Sequence, residues 1–165
     1  MALDDDRYFA GLVDGEGCFQ IVNPVHESWF VLRLDISQRL DRGKVLEQLR
    51  EIFGGLLVLD GTKQLCLTIR KKKDLLGLIR YFDRFPLIIK ANEYEVWREA
   101  AILYNRYSCG PGAAKNPEWL VEAMRAACKE LKRLKKYQAK ALEFQIEHRG
   151  LQLDLIEPDA VGSEY

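Results

Sequence analysis

Twelve residues near the N-terminus, Tyr8-Phe9-Ala10-Gly11-Leu12-Val13-Asp14-Gly15-Glu16-Gly17-Cys18-Phe19, constrain this chain more than any other stretch. An apolar run with helical spacing ends in two acids alternating with glycines, directly before a segment that alternates with strand period. That order delivers a carboxylate to one fixed place at a helix end. Three acids, Asp4 to Asp6, precede the run and suit a helix cap, while Gly15 and Gly17 are expected to stop it. Gly11 and Gly15 lie four apart on one helix face, where a second backbone can come close. Two copies packed there, with Phe9 and Leu12 beside the glycines, would bring two Glu16 carboxylates together. Hard divalent cations prefer such oxygen ligands, and the arrangement suits phosphodiester cleavage.

The rest of the chain supplies a frame for that carboxylate. Cys18 to Val22 reads as a first strand, with Phe19 and Ile21 inward and Cys18, Gln20 and Val22 outward. Asn23-Pro24 breaks it, and Trp29 to Gln38 returns as a second strand, with Leu32, Leu34 and Ile36 inward and Val31, Arg33, Asp35 and Ser37 outward. A helix over 42–53 follows, with Val45, Leu46, Leu49 and either Ile52 or Phe53 on its apolar face and Gly54-Gly55 at its end. Leu56 to Leu59, the Asp60-Gly61 turn signal and Gln64 to Arg70 give a second hairpin. A third helix spans about 74–82, closed by Phe85-Pro86. Helices over 89–107 and from Pro117 to about 148 complete the chain, the second capped by Asn116 after a Gly-Pro-Gly loop.

This order predicts an α+β fold, an α-β-β-α-β-β-α unit with a curved four-stranded antiparallel sheet covered by helices on one face, plus C-terminal helices. With 165 residues, 48% of them apolar, it is expected to form one domain over 1–165. The core would lie in about 5–107, a helical region in about 116–150 and an acidic tail in 151–165.

Composition narrows the function. No run of eighteen apolar residues occurs, and the stretch from Met1 to Arg7 is acidic where a signal peptide would be basic. The expectation is no membrane, and an intracellular, reducing compartment such as a prokaryotic cytoplasm or an organelle interior. Four scattered cysteines and two distant histidines argue against zinc and against a disulfide framework. The net charge is zero, but its distribution is uneven: residues 61–150 carry +9, flanked by −5 before and −4 after. A phosphate-binding footprint is therefore compatible with the neutral total.

Phe9 to Gly17 resembles the signature of the LAGLIDADG homing endonucleases. Ala10, Gly11, Leu12, Asp14 and Gly17 match outright, and Phe9, Val13 and Glu16 are conservative changes. One copy of the motif makes the chain similar to the homodimeric branch. The resemblance implies a site-specific double-strand DNA endonuclease that depends on Mg²⁺, with Mn²⁺ or Ca²⁺ able to occupy the same site. Such an enzyme would cut a long, roughly palindromic target across the minor groove, leave 3′ overhangs, and be encoded in an intron or intein. Two alternatives share the fold: an RNA maturase that assists intron splicing, and a cleavage-inactive DNA-binding regulator.

By the same resemblance Glu16 is the direct metal ligand and the Gly15 carbonyl a second oxygen donor. Asp14, one residue before the glycine, is read as a structural hydrogen-bond acceptor. Gln38 at the end of the second strand, Arg42 at the start of the following helix and Lys90 beyond Phe85-Pro86 match the family's residues that organise water and offset phosphate charge. Base readout falls to the outward set Gln20, Arg33, Asp35, Ser37, Cys66, Thr68 and Arg70, with Asn23 and His26 in the hairpin loop. Lys71 to Lys73, and the helical set Lys129, Lys132, Arg133, Lys135, Lys136 and Lys140, are candidate phosphate contacts.

Overall fold

The computed structural model describes residues 7–23, 28–61, 63–109 and 115–149. Asp4 to Asp6, His26, the Gly-Pro-Gly loop, the side chain of Lys140 and the acidic tail lie outside the described residues. The elements run α1 (Tyr8–Glu16), β1 (Gly17–Val22), β2 (Val31–Arg39), a 3₁₀ turn (Leu40–Arg42), α2 (Lys44–Phe53) and β3 (Leu56–Asp60). They continue as β4 (Gln64–Ile69), α3 (Lys72–Arg84), α4 (Ala91–Tyr107) and α5 (Glu118–Arg149). The four strands form one antiparallel sheet in the order β1-β2-β4-β3. The α+β order expected from the pattern is thus the observed one.

The glycines at the foot of α1 divide their work differently from the sequence expectation. Gly15 stays inside the helix, which ends only at Gly17, where the backbone turns extended at φ −75° and ψ 148°. A Cβ at Gly17 would lie 2.6 Å from the carbonyl oxygen of Val13, so only glycine lets the chain pass straight from helix into strand. Strand β1 accordingly starts one residue earlier than alternation indicated.

Register fixes what each strand presents. Gly17 faces Ile36, Phe19 faces Leu34, and Leu34 and Ile36 face Ile69 and Leu67 on β4, so these side chains share the helix-covered side. There Phe19 meets the ring of Trp97 at 5.1 Å, within an aromatic cluster completed by Phe82 and Tyr94. Burying each such side chain contributes roughly 1.5–3 kcal/mol, and the cluster locks α3 and α4 onto the sheet. Asp83 adds a polar tie between these helices: Arg98 donates to both its oxygens at 2.7 and 2.8 Å, and the Tyr94 hydroxyl donates at 3.0 Å. Hydrogen bonding from Arg98 holds the Asp83 carboxyl below its ordinary range.

Several expectations need correcting. Phe9 is buried and packs edge-on against Phe53, so it belongs to the core and not to the outer face of α1. In α2 the choice left open between Ile52 and Phe53 falls to Phe53, which is inward with Leu46 and Leu49 while Ile52 is exposed. Helix α4 begins at Ala91, with Lys90 in its N-cap position. Asn116 does not cap α5: it is buried, accepts from the Cys109 N–H at 2.8 Å and donates to the Ser28 carbonyl at 2.7 Å. The first turn of α5 closes instead on the Pro117 carbonyl.

Helix α5 covers the outer edge of β1. Lys135 donates to the Phe19 carbonyl at 2.6 Å, and the Cys128 thiol donates to the Ile21 carbonyl at 3.1 Å, satisfying acceptors that an open sheet edge would expose. Lys135 is therefore an edge cap and leaves the set of candidate phosphate contacts, and Arg133 is paired with Glu130. The opposite edge, β3, exposes Leu56, Val58 and Leu59.

Candidate functional site

The C-terminal turn of α1 is held by a loop far away in sequence. Asp14 is buried, and its carboxylate accepts the backbone N–H groups of Ile88 and Ile89 at 2.8 and 2.9 Å on one oxygen and of Lys90 at 2.8 Å on the other. Burial alone would push the Asp14 carboxyl up. The N–H groups of Ile89, Lys90 and Ile88, with the Lys90 charge, outweigh it and hold the group below its ordinary value. Its structural role as a hydrogen-bond acceptor at the helix end agrees with the sequence reading, though nothing in the sequence identifies residues 88–90 as the donors.

The same loop returns the contact through its side chain. The Lys90 ammonium donates to the Asp14 carbonyl and, at 3.1 Å, to the Gly15 carbonyl. These oxygens lie in the last turn of α1, where carbonyls lack intrahelical partners and the helix dipole is negative. Glu16 follows immediately and is exposed. Lys90 is thereby brought to the Gly15 carbonyl, one residue before Glu16.

A hard divalent ion fits this donor set only in part. The carboxylate of Glu16 and the Gly15 carbonyl are oxygen ligands of the right kind, but among the described residues no three His, Cys, Asp or Glu side chains cluster. The described residues thus supply a fraction of a coordination shell.

Gln38 and Arg42 are placed less firmly. Gly17 pairs with Ile36, and Gln38 lies two positions further along β2, beyond the pairing with β1. It pairs with Leu65, is half-buried, and is followed by one more strand residue, Arg39. Arg42 is exposed in the 3₁₀ turn before α2, not in the helix itself.

The outward face of the sheet carries a connected polar network. Gln20 on β1 donates to Asp35 on β2 at 2.8 Å, Arg33 donates to the Gln20 side-chain oxygen at 3.0 Å, and Thr68 on β4 donates to Asp35 at 2.8 Å. Arg33 also pairs with Asp35 at 3.0 Å. Ser37 and Cys66 face each other across the same ladder, and Asn23 lies just beyond the end of β1. Alternation identified these residues as a set, but their mutual bonding follows from a register that sequence does not give. Arg70 and Lys71 are exposed at the junction of β4 and α3. Lys72 is diverted to the Ser108 hydroxyl at 2.8 Å.

Sequence reasoning missed Ile88 and Ile89. They are 87% and 68% exposed, on a backbone pinned by Asp14. Their signal was present: Pro86-Leu87-Ile88-Ile89 is an apolar run between two helices, where a polar connection is usual.

An acidic helix end feeding an antiparallel sheet, with helices behind it and a polar network in front, defines a sheet-presenting α+β protein. The family model for LAGLIDADG endonuclease matches residues 9–101, so the chain belongs to the LAGLIDADG endonuclease family. The homing endonuclease I-TnaI is similar over 80% of this chain and 96% of its own, at 25% identity and a TM-score of 0.62. I-SmaMI bound to uncleaved DNA target in the presence of calcium ions shares the fold, with a TM-score of 0.64 and 23% identity over 76% of this chain and 44% of its own. In sequence, an uncharacterized 50.9 kDa protein in ND4 intron 1 of Podospora anserina is 28% identical over 108 residues, 60% of this chain. The chain spans 24% of the length of that curated relative.

Proposed function

We propose that the chain is a homodimeric, divalent-metal-dependent DNA endonuclease that cuts both strands of one target site. The observation that carries this reading is the Lys90 ammonium on the Gly15 carbonyl, with exposed Glu16 the next residue at the end of α1. Glu16 and Gly15 would hold the ion, with Mg²⁺ the expected occupant and Mn²⁺ or Ca²⁺ able to replace it. When bound, the ion supplies activation of water and charge for the departing 3′ oxygen. Gln38 orients water, lacking the basicity to take its proton, while Arg42 and Lys90 offset phosphate charge.

The dimer reading rests on α1 and its neighbour. Among the described residues a Cβ at Gly11 or Gly15 would meet nothing within 4 Å, so their packing does not require either glycine, and both are exposed. Leu12 lies beside them, half-buried. Ile88 and Ile89, pinned to the same helix, extend this face with apolar surface. A second copy at that face would cover both isoleucines and add its own Glu16 to the incomplete oxygen set. The double variant Ile88→Asp with Ile89→Asp is expected to weaken the dimer at least about tenfold by sedimentation, since two charges would be buried against apolar surface. An unchanged dimer would remove these residues from the interface.

DNA would lie on the outward network. At ~3.3 Å per residue, the nine residues of β2 reach roughly 30 Å, about nine base pairs at ~3.4 Å each, or roughly twenty for the dimer. Gln20, Arg33, Asp35 and Thr68 hold one another in place, which limits each to the donors and acceptors its neighbours leave open. Asp35→Ala frees Arg33 and Gln20. The preference for a selected target over scrambled duplex is expected to fall about tenfold in competition binding, the scale of one lost base contact. An unaltered preference would show that the network is a solvated face.

Incubation with a plasmid library and Mg²⁺ tests the function. Linear product supports the nuclease. Binding without cutting points to a DNA-binding regulator, and selective retention of intron RNA points to a maturase.

A further inference from the structure

Lys90 is held at both ends, through its backbone N–H and through its ammonium. Its backbone N–H is tied to Asp14 at 2.8 Å, while its side chain, with four rotatable bonds, lays the ammonium on the Asp14 and Gly15 carbonyls. Those oxygens attract a cation by their position in the last turn of α1, since the Val13 carbonyl already accepts the Gly17 N–H and the dipole points its negative end there. The Gly15 carbonyl is also the oxygen assigned to the ion, at a contact distance of about 2.1 Å for Mg²⁺. A dication and an ammonium on one oxygen repel each other at that short separation even though Gly15 and Glu16 are exposed to water.

We propose that Lys90 is a placeholder cation: its ammonium occupies the Gly15 carbonyl while the site is free of metal and must leave it when a divalent ion binds. This inference rests on the assignment of Glu16 and Gly15 as ion ligands. The ammonium neutralises the helix end before the ion arrives, and its displacement sets how tightly the ion is held. Because the Lys90 backbone stays fixed by Asp14, the exchange moves the side chain alone. The displaced ammonium remains within reach of the site, available to a phosphate oxygen of bound DNA. One residue then serves two states, a helix-end cap without metal and a phosphate partner with it.

The test measures Mn²⁺ binding to the full chain, through loss of the free-ion paramagnetic resonance signal, for the parent protein, Lys90→Met, Lys90→Gln and Glu16→Gln. Removing the ammonium is expected to tighten Mn²⁺ binding about fivefold or more in both Lys90 variants, because the competing charge is gone. Their melting temperatures are expected to fall in chelator and to rise more than the parent's when Mn²⁺ is added. A purely structural or phosphate-binding role predicts unchanged or weaker binding in both variants, and that result, with Glu16-dependent binding intact, overturns the placeholder role alone. Binding that does not depend on Glu16 in any of the four proteins would overturn the ion assignment beneath it as well.

Discussion

Glu16→Gln is expected to reduce double-strand cleavage by roughly three powers of ten or more while DNA affinity stays within about threefold, because the substitution removes the carboxylate proposed to hold the metal and leaves volume and polarity nearly unchanged. Glu16 is exposed at the end of α1, and no hydrogen bond of the readout network passes through it. Stability should therefore be untouched, so a loss of cutting could not be assigned to unfolding. Single-turnover cleavage and gel-shift binding on the same preparation measure the two quantities. Undiminished cutting would overturn the assignment of Glu16, and parallel loss of binding would make it a DNA contact instead.

Asp14 is expected to give the largest stability effect. Asp14→Leu leaves three backbone N–H groups at residues 88–90 without their acceptor, at about 1–3 kcal/mol each, so a loss of roughly 3–9 kcal/mol is expected in urea unfolding near neutral pH. Its folded pKa is depressed, so the stabilisation it provides is fully present above the ordinary carboxylate value of 3.8 and is lost as pH falls through the lower folded value. Asp14→Asn should therefore destabilise the protein near neutrality, and its gap to the parent should close only under acid conditions, below that ordinary value. A gap that stays constant through the acid range would show that the three N–H bonds do not favour the charged form.

The two acids of the motif thus do different work, and sequence could read only half of the difference. The helix, the strand that follows it and the carboxylate between them were legible, because an apolar helical run, two glycines and strict alternation are local signals. The inward set Phe19, Leu34, Ile36, Leu67 and Ile69 followed from the same alternation, and the outward set Gln20, Arg33, Asp35 and Thr68 with it. What stayed hidden was long-range: Asp14 meets residues 74 to 76 positions away, and Lys135 caps a strand edge 116 positions back. Periodicity places a residue on a face but does not say which distant loop meets it. Phe9 was misplaced for a related reason. The motif's outer face was drawn from its glycines, and only the packing of α2 shows that Phe53 draws Phe9 inward.

Lys90 lies between these cases. Its place in the family's pattern put it at the site, but the pattern gave no reason for its position. The geometry supplies one: the loop that ends in Lys90 is fastened to Asp14, and the ammonium reaches the one carbonyl beside Glu16 that an ion would also use.

Cleavage-site selection from a library of randomised duplexes, with Mg²⁺ and the unaltered protein, tests the central claim most directly. The account predicts double-strand breaks with 3′ overhangs, at sites that share a two-fold related sequence of roughly twenty base pairs, and no such breaks with Glu16→Gln. A library left intact by the parent protein, or breaks that persist without the Glu16 carboxylate, would contradict it.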